Sequence, residues 1–211
     1  AVIQGAEIVR IATGARRIIV GIEDNKPDVY EAFSQRSYPF EVEFALLKTK
    51  YPQGAEKNLI SALLKREVPR GGLPFDVGVV VQNVGTAMAV WEAVSLGKPL
   101  YERALTVSGS GISEPKNLKA RIGTPFQHII DHCGGIGEGS NLVVMGGPMM
   151  GLAQWTTEVP VIKGTSGILV WAEARPAREY SCIGCSRCVS HCPMGLVPTR
   201  LMKFVKYGAL A

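Results

Sequence analysis

The sequence predicts a mixed α/β chain: a largely parallel α/β region, then a small α+β domain, then a metal-binding segment. Three observations carry that expectation. Helical and strand patterns alternate through the first hundred residues, as in crossover-linked parallel strands. Beyond residue 98, short strands surround a single helix. Four of the five cysteines then fall between positions 182 and 192.

The elements follow in order. EIVRIATG reads as a helix end closed by Gly14, and RRIIVGIED as a buried strand rich in β-branched residues. KPDVYEAFSQ is expected to be a helix, FEVEFALLK a second strand, and EKNLISALLKRE a helix with apolar residues at helical spacing. DVGVVVQNVGTAMAVWEAV should run strand, short polar turn, helix. In open α/β sheets ligands bind at the carboxyl ends of strands. Glu23, Asp24, Asn25 and Lys26 fall at that edge, as do Gln82, Asn83, Val84, Gly85 and Thr86.

In the second region RALTVSGSGI, NLVVMGG and GTSGILVWAEA read as strands. Between them TPFQHIIDHCGG carries helix signals: Thr124 as cap, Pro125 at the first helical position, Gln127 completing a capping box, and Gly134 in a left-handed terminal turn. The last segment should hold a short amphipathic helix from about Pro198 to Tyr207, stopped by Gly208.

Composition narrows the function classes. The chain has 211 residues, 46% of them hydrophobic, and a formal net charge of +5. No Lys/Arg run exceeds two, so the charge reads as a solvated surface and not as a nucleic-acid footprint. No apolar stretch is long enough to cross a bilayer, and a membrane role would be that of a peripheral subunit. Clustered cysteines with one left over, Cys133, argue for a reducing compartment and against a disulfide framework. AVIQGAEIVR opens like the middle of an amphipathic helix and PTRLMKFVKYGALA closes just past another, so the chain is expected to be part of a longer protein.

The strongest motif is CIGCSRCVSHCP. Its spacing, Cys182-x2-Cys185-x2-Cys188-x3-Cys192-Pro193, is that of bacterial ferredoxins, where the fourth cysteine ligates the other cluster of a pair. Soft thiolates suit iron–sulfur clusters or zinc. Zinc more often takes two separated Cys-x2-Cys knuckles, so iron–sulfur is the favoured reading. The remaining signals are weak. VSGSGISEP lacks the strand–glycine–helix setting of a dinucleotide site and reads as a tight turn. GGPMMGLAQ is turn-like and apolar. His128 and His132 stand four apart on the expected helix without a third ligand nearby, His191 adjoins Cys192, and Cys133 reads as a small buried residue.

The order of these pieces resembles the C subunit of the Rnf electron-transport complex. The stretches that carry the likeness are IIVGIEDNKP, GGLPFDVGVVVQNVGTAMAVWEAV, LTVSGSGISEPKNLKARIGTP, NLVVMGGPMMG and CIGCSRCVSHCPMGLVP. That family is similar to the flavin- and NADH-binding subunit of respiratory complex I. The resemblance implies a partial Rossmann-like flavin domain over residues 1–97, a soluble-ligand-binding β-grasp domain over 98–174, and the start of a ferredoxin-like iron–sulfur segment over 175–211.

It also implies FMN, NAD(H) and, in the longer protein, two 4Fe-4S clusters. QNVGT matches a flavin-lining segment at Asn83 and Thr86 and departs from it at Gln82 and Gly85. Glu23, Asp24 and Asn25 lie where the relative has a nucleotide-side loop. The family's glycine-rich flavin loop and acidic loop should precede residue 1, and a second cysteine run should follow Ala211. Cys182, Cys185 and Cys188 would then share one cluster with a ligand from that run, and Cys192 would serve the other. The expected function is electron transfer between NAD(H) and a ferredoxin-like carrier in an ion-translocating oxidoreductase. The protein would sit peripherally on the cytoplasmic side of the inner membrane beside other subunits of the complex, and this stretch alone would be inactive. Two alternatives stand beside that reading: a soluble flavin/iron–sulfur reductase, such as a cobalamin reductase, and a non-enzymatic β-grasp docking module.

Overall fold

The structure, a computed structural model, describes residues 1–172, 180–192 and 194–208. The expected domain boundary at 174–175, and Pro193 with its turn, lie outside the described residues. Two compact units emerge: Ala1–Gly97 with Tyr180–Ala211, and Lys98–Glu179.

In the first unit helix α1 (Val2–Thr13) ends at Gly14, whose φ of 68° is the left-handed cap that glycine adopts freely. Strands β1 (Ile19–Glu23) and β2 (Glu43–Leu47) pair in parallel, Ile19 opposite Glu43, with helix α2 (Pro27–Ser34) as the crossover. Phe33 of α2 stacks on Phe44 of β2, with ring centroids 6.2 Å apart. Helix α3 (Glu56–Leu64) follows, then a 3-10 turn at Pro74–Val77, and helix α4 (Val84–Leu96). Helices α1 and α4 pack so closely at Gly5 that a Cβ there would lie 1.8 Å from the carbonyl oxygen of Ala87.

Two expectations change here. The strand expected before Asn83 does not form: Val80, Val81 and Gln82 join no ladder, although their β-branched composition suits one. β-propensity needs a neighbouring edge, and among the described residues this segment has none. For the same reason β1 is only half buried. Ile22 is enclosed while Gly21 is exposed.

The second unit is a five-stranded sheet in the order β4-β3-β7-β5-β6. Its strands are β3 (Glu102–Ser108), β4 (Lys116–Arg121), β5 (Ser140–Met145), β6 (Leu152–Gln154) and β7 (Gly167–Ala172). The β3–β7 pair is parallel and the others antiparallel. Helix α5 (Phe126–His132) covers one face, and Phe126, Ile130, Val107, Ile168 and Cys133 form a tightly buried core. Gly109 is required where β3 ends: its φ is 120°, and a Cβ would lie 2.0 Å from the Val170 carbonyl oxygen.

The start of α5 corrects the capping expectation. Its N-cap is Pro125, without a side-chain cap. The free amides of the first turn find backbone partners instead: Phe126 N–H donates to Val159 O and Gln127 N–H to Thr157 O, both at 2.9 Å. The Gln127 side chain accepts from Thr157 Oγ1 at 2.6 Å and donates to Asp131 at 2.8 Å. A strand-like neighbour thus does what the capping box was expected to do. Gly134 is left-handed as expected, with φ 86°.

Candidate functional site

At the carboxyl end of β1 the polar turn is held by its own neighbours. Asp24 Oδ1 accepts from the Thr49 N–H at 2.9 Å and from Thr49 Oγ1 at 2.7 Å, joining the turns after β1 and β2. The Thr49 hydroxyl, then its amide, holds the Asp24 carboxyl below the ordinary aspartate range. Lys26 Nζ donates to Glu23 at 3.0 Å and to Asn25 Oδ1 at 3.4 Å. Of the three nucleotide-side candidates, Asp24 therefore acts first on the shape of this edge. Thr49 was missed in the sequence because nothing local marks a threonine 25 residues away as a partner.

At the second turn Asn83 caps α4: its side-chain oxygen accepts from the Gly85 N–H at 2.8 Å. The Thr86 amide donates to the Asn83 carbonyl at 2.9 Å, and the Thr86 side chain is half exposed. Gln82 and Val84 border a large apolar cavity of the same unit, about 920 Å³, together with Ile19, Val20 and Gly21 of β1. Asn83, Thr86, Glu23, Asp24 and Asn25 are not among its walls.

The cysteine run lies on a loop and the short helix α6 (Arg187–Ser190), followed by helix α7 (Pro198–Lys206). Cys182, Cys185 and Cys188 are exposed and Cys192 is half buried. Gly184 and Ser186 have φ of 71° and 56°, so the chain reverses its local hand between successive cysteines. A left-handed serine is uncommon. Four unpaired, accessible thiols at this spacing are a donor set that fits iron–sulfur clusters. Among the described residues no three potential ligands are drawn together into a metal cage. His191 Nδ1 lies 2.9 Å from the Arg187 carbonyl oxygen.

The other residues singled out in the sequence serve structure. Cys133 is fully buried, and burial pushes its thiol pKa up against the opposing pull of Lys116. His128 and His132 line a cavity of about 250 Å³ beside Lys119 and Arg121, in a setting rich in cations and without a carboxylate wall.

Comparison with known proteins places these features. Residues 1–92 match the Nuo51 FMN-binding domain family, and residues 105–153 match the SLBB domain family. Over 202 residues, 95% of the chain, it is 49% identical to the C subunit of the proton-translocating ferredoxin:NAD(+) oxidoreductase complex of Clostridium ljungdahlii. It is 45% identical over 206 residues to the C subunit of the Na(+)-translocating ferredoxin:NAD(+) oxidoreductase complex of Acetobacterium woodii.

Over nearly its whole length the chain is similar to C subunits of ion-translocating oxidoreductase complexes.

It covers 44% and 46% of those two relatives, so it spans less than half their length. A third relative, the C subunit of the ion-translocating oxidoreductase complex of Rhodobacter capsulatus, is 43% identical over 210 residues and 40% covered. In fold, the chain is similar to a chain of an NAD+-reducing [NiFe]-hydrogenase in the H2-reduced state. That match has a TM-score of 0.63 at 20% identity, over 80% of this chain and 35% of the other. No helix among the described residues is long and apolar enough to cross a membrane.

Proposed function

We propose that this chain carries electrons between NAD(H) and a ferredoxin-like partner within an ion-translocating oxidoreductase complex, docked peripherally on the cytoplasmic face of the membrane. One observation carries the reading. An FMN-binding match, an SLBB match and a Cys-x2-Cys-x2-Cys-x3-Cys run follow one another on a single chain, 95% of which aligns with a ferredoxin:NAD(+) oxidoreductase C subunit. The corresponding division is a partial Rossmann-like flavin domain over 1–97, a β-grasp domain over 98–174 and a ferredoxin-like segment from 175.

The residues divide the work as follows. Cys182, Cys185 and Cys188 hold one 4Fe-4S cluster and Cys192 contributes to a second. Asn83 and Thr86 contact the flavin from the first turn of α4, and Glu23, Asp24 and Asn25 border the nucleotide side. Flavin and clusters, when bound, supply the exchange between two-electron and one-electron transfer. The chain itself binds and orients, and no acid–base side chain is needed. The clamp between Asp24 and Thr49 supports the nucleotide-side role of this turn, because it fixes the shape of the edge after β1.

The test is anaerobic reconstitution of the full-length protein with iron and sulfide, followed by iron counting and electron paramagnetic resonance after reduction. About eight irons per chain with coupled signals are expected, falling by about four in the C182S, C185S and C188S variants. Retention of zinc with no iron uptake would overturn the reading.

A further inference from the structure

We infer that the outer edge of β4 takes up an extended acidic segment of a partner protein, which adds one more strand to the sheet of the second unit beside α5. β4 stands first in the order β4-β3-β7-β5-β6, so one of its sides has no neighbouring strand. Arg121 lies opposite Glu102, and just beyond that pair Ile122 N–H donates to Tyr101 O at 2.9 Å. Along an antiparallel strand, successive residues turn their backbone groups alternately toward and away from a given neighbour. Ile122, Ala120, Leu118 and Lys116 therefore serve β3, while Asn117, Lys119 and Arg121 turn their N–H and C=O groups outward. Of these outward groups only the Arg121 carbonyl has a backbone partner among the described residues, the Thr124 N–H at 3.1 Å. The opposite edge offers less. β6 has three residues, and its Leu152 carbonyl accepts from the Gln154 side chain at 2.8 Å.

A groove runs along the β4 edge. The cavity of about 250 Å³ is walled by the consecutive residues 118–121 of β4 and, across from them, by Thr124, His128, Ile129 and His132. A sheet face presents alternate residues of a strand, so a run of consecutive ones marks an edge. Helix α5 forms the other bank. Leu118 and Ala120 pack with the α5 core, which places Lys119 and Arg121 on the opposite face of the sheet. Both are exposed, Lys119 with 67% of its side chain accessible.

The chemistry of the occupant follows from this edge. A free carboxylate offers acceptors alone and would leave the Asn117 and Lys119 carbonyls unmatched, whereas a peptide backbone offers donors and acceptors in turn. Side chains of an added strand alternate between the faces. Those on one face meet Lys119 and Arg121, and those on the other meet the α5 wall. The carboxylates nearby are already engaged: Glu102 accepts from Lys98 and Lys119, Glu114 pairs with Lys116, and Asp131 accepts from Gln127. The edge keeps an excess of positive charge, complementary to acidic side chains. The same charge rejects a second copy, because two β4 edges paired about a two-fold axis bring lysine and arginine against their like. Lysine on an edge guards it against indiscriminate pairing, so charge selects the partner.

The experiment titrates the full-length protein with synthetic peptides of alternating Glu and Val, with Lys–Val counterparts, and with Glu–Val peptides methylated on alternate backbone nitrogens. Affinity and amide exchange are read. The Glu–Val peptide should bind and slow exchange at Lys119 and Arg121 by about tenfold or more, leaving Leu118 and Ala120, already bonded to β3, unchanged. Methylating one alternate set of nitrogens should abolish binding and methylating the other should leave it, since only one set faces β4. Lys119→Glu and Arg121→Glu, at exposed positions, should each weaken the Glu–Val peptide about tenfold and admit the Lys–Val peptide. Absence of binding, equal effects of the two methylation patterns, or protection at β6 instead of β4 would overturn the inference. Protection that rises with protein concentration and needs no peptide would assign the edge to a second copy and overturn it as well. The readouts need neither iron nor flavin, so this inference and the proposed electron transfer can fail separately.

Discussion

Gly5→Ala sets two known effects of opposite sign against each other. In a free helix alanine is better than glycine by roughly 0.5–1 kcal/mol. In this protein the added Cβ would lie 1.8 Å from the Ala87 carbonyl oxygen and 2.6 Å from its carbon. Both atoms belong to the backbone of α4, so no side-chain rotation relieves the clash. Helices α1 and α4 must separate by more than an ångström, and Ile3, 3% exposed, and Ala87, 5% exposed, lose their seal. Overpacking of this kind costs about 1–3 kcal/mol, and partial exposure of Ile3 adds about 1 kcal/mol. The clash therefore wins, leaving a net loss of roughly 1–3 kcal/mol. Urea unfolding followed by the amide signals of α1 and α4 measures it. Ala12→Gly, at an exposed position of α1, calibrates the propensity effect at about 1 kcal/mol in the destabilising direction. If Gly5→Ala is as stable as the parent or more so, the close approach of the two helices is wrong and propensity alone rules.

Other outcomes follow from the same structure. Asn83→Ala removes the cap on Gly85 and should cost about 0.5–2 kcal/mol, read as faster amide exchange in the first turn of α4; unchanged exchange would deny Asn83 a capping role. Asp24 has a lowered folded pKa, so its carboxylate stabilises above the ordinary value of 3.8 and that contribution disappears as pH falls through the lower folded value. The stability gap between the parent and Asp24→Asn should accordingly be present at neutral pH and close below about pH 3.8, and a gap that widens on acidification would contradict the Thr49 clamp. Thiol titration of the reduced chain, free of metal, should count four fast cysteines and release Cys133 only on unfolding; five fast thiols would mean that the α5 core is open.

The sequence by itself determined the order and type of most elements, because periodicity and terminal glycines are local signals: Gly134 adopts the left-handed turn expected of it, and Gly14 and Gly208, expected as helix stops, are left-handed too. It also determined the cysteine run, whose chemistry lies in its spacing. Tertiary structure decided what depends on a partner far along the chain. Strands β4 and β6, unmarked by composition, exist because β3 and β5 offer them edges. Val79–Gln82, which has the composition of a strand, stays unpaired because no edge reaches it among the described residues. The α5 start is satisfied by Thr157 and Val159 and not by its own threonine, and Asp24 is committed to Thr49. Hydrogen bonds between distant segments are fixed by which backbones the packing brings within about 3 Å, a property that no local pattern encodes.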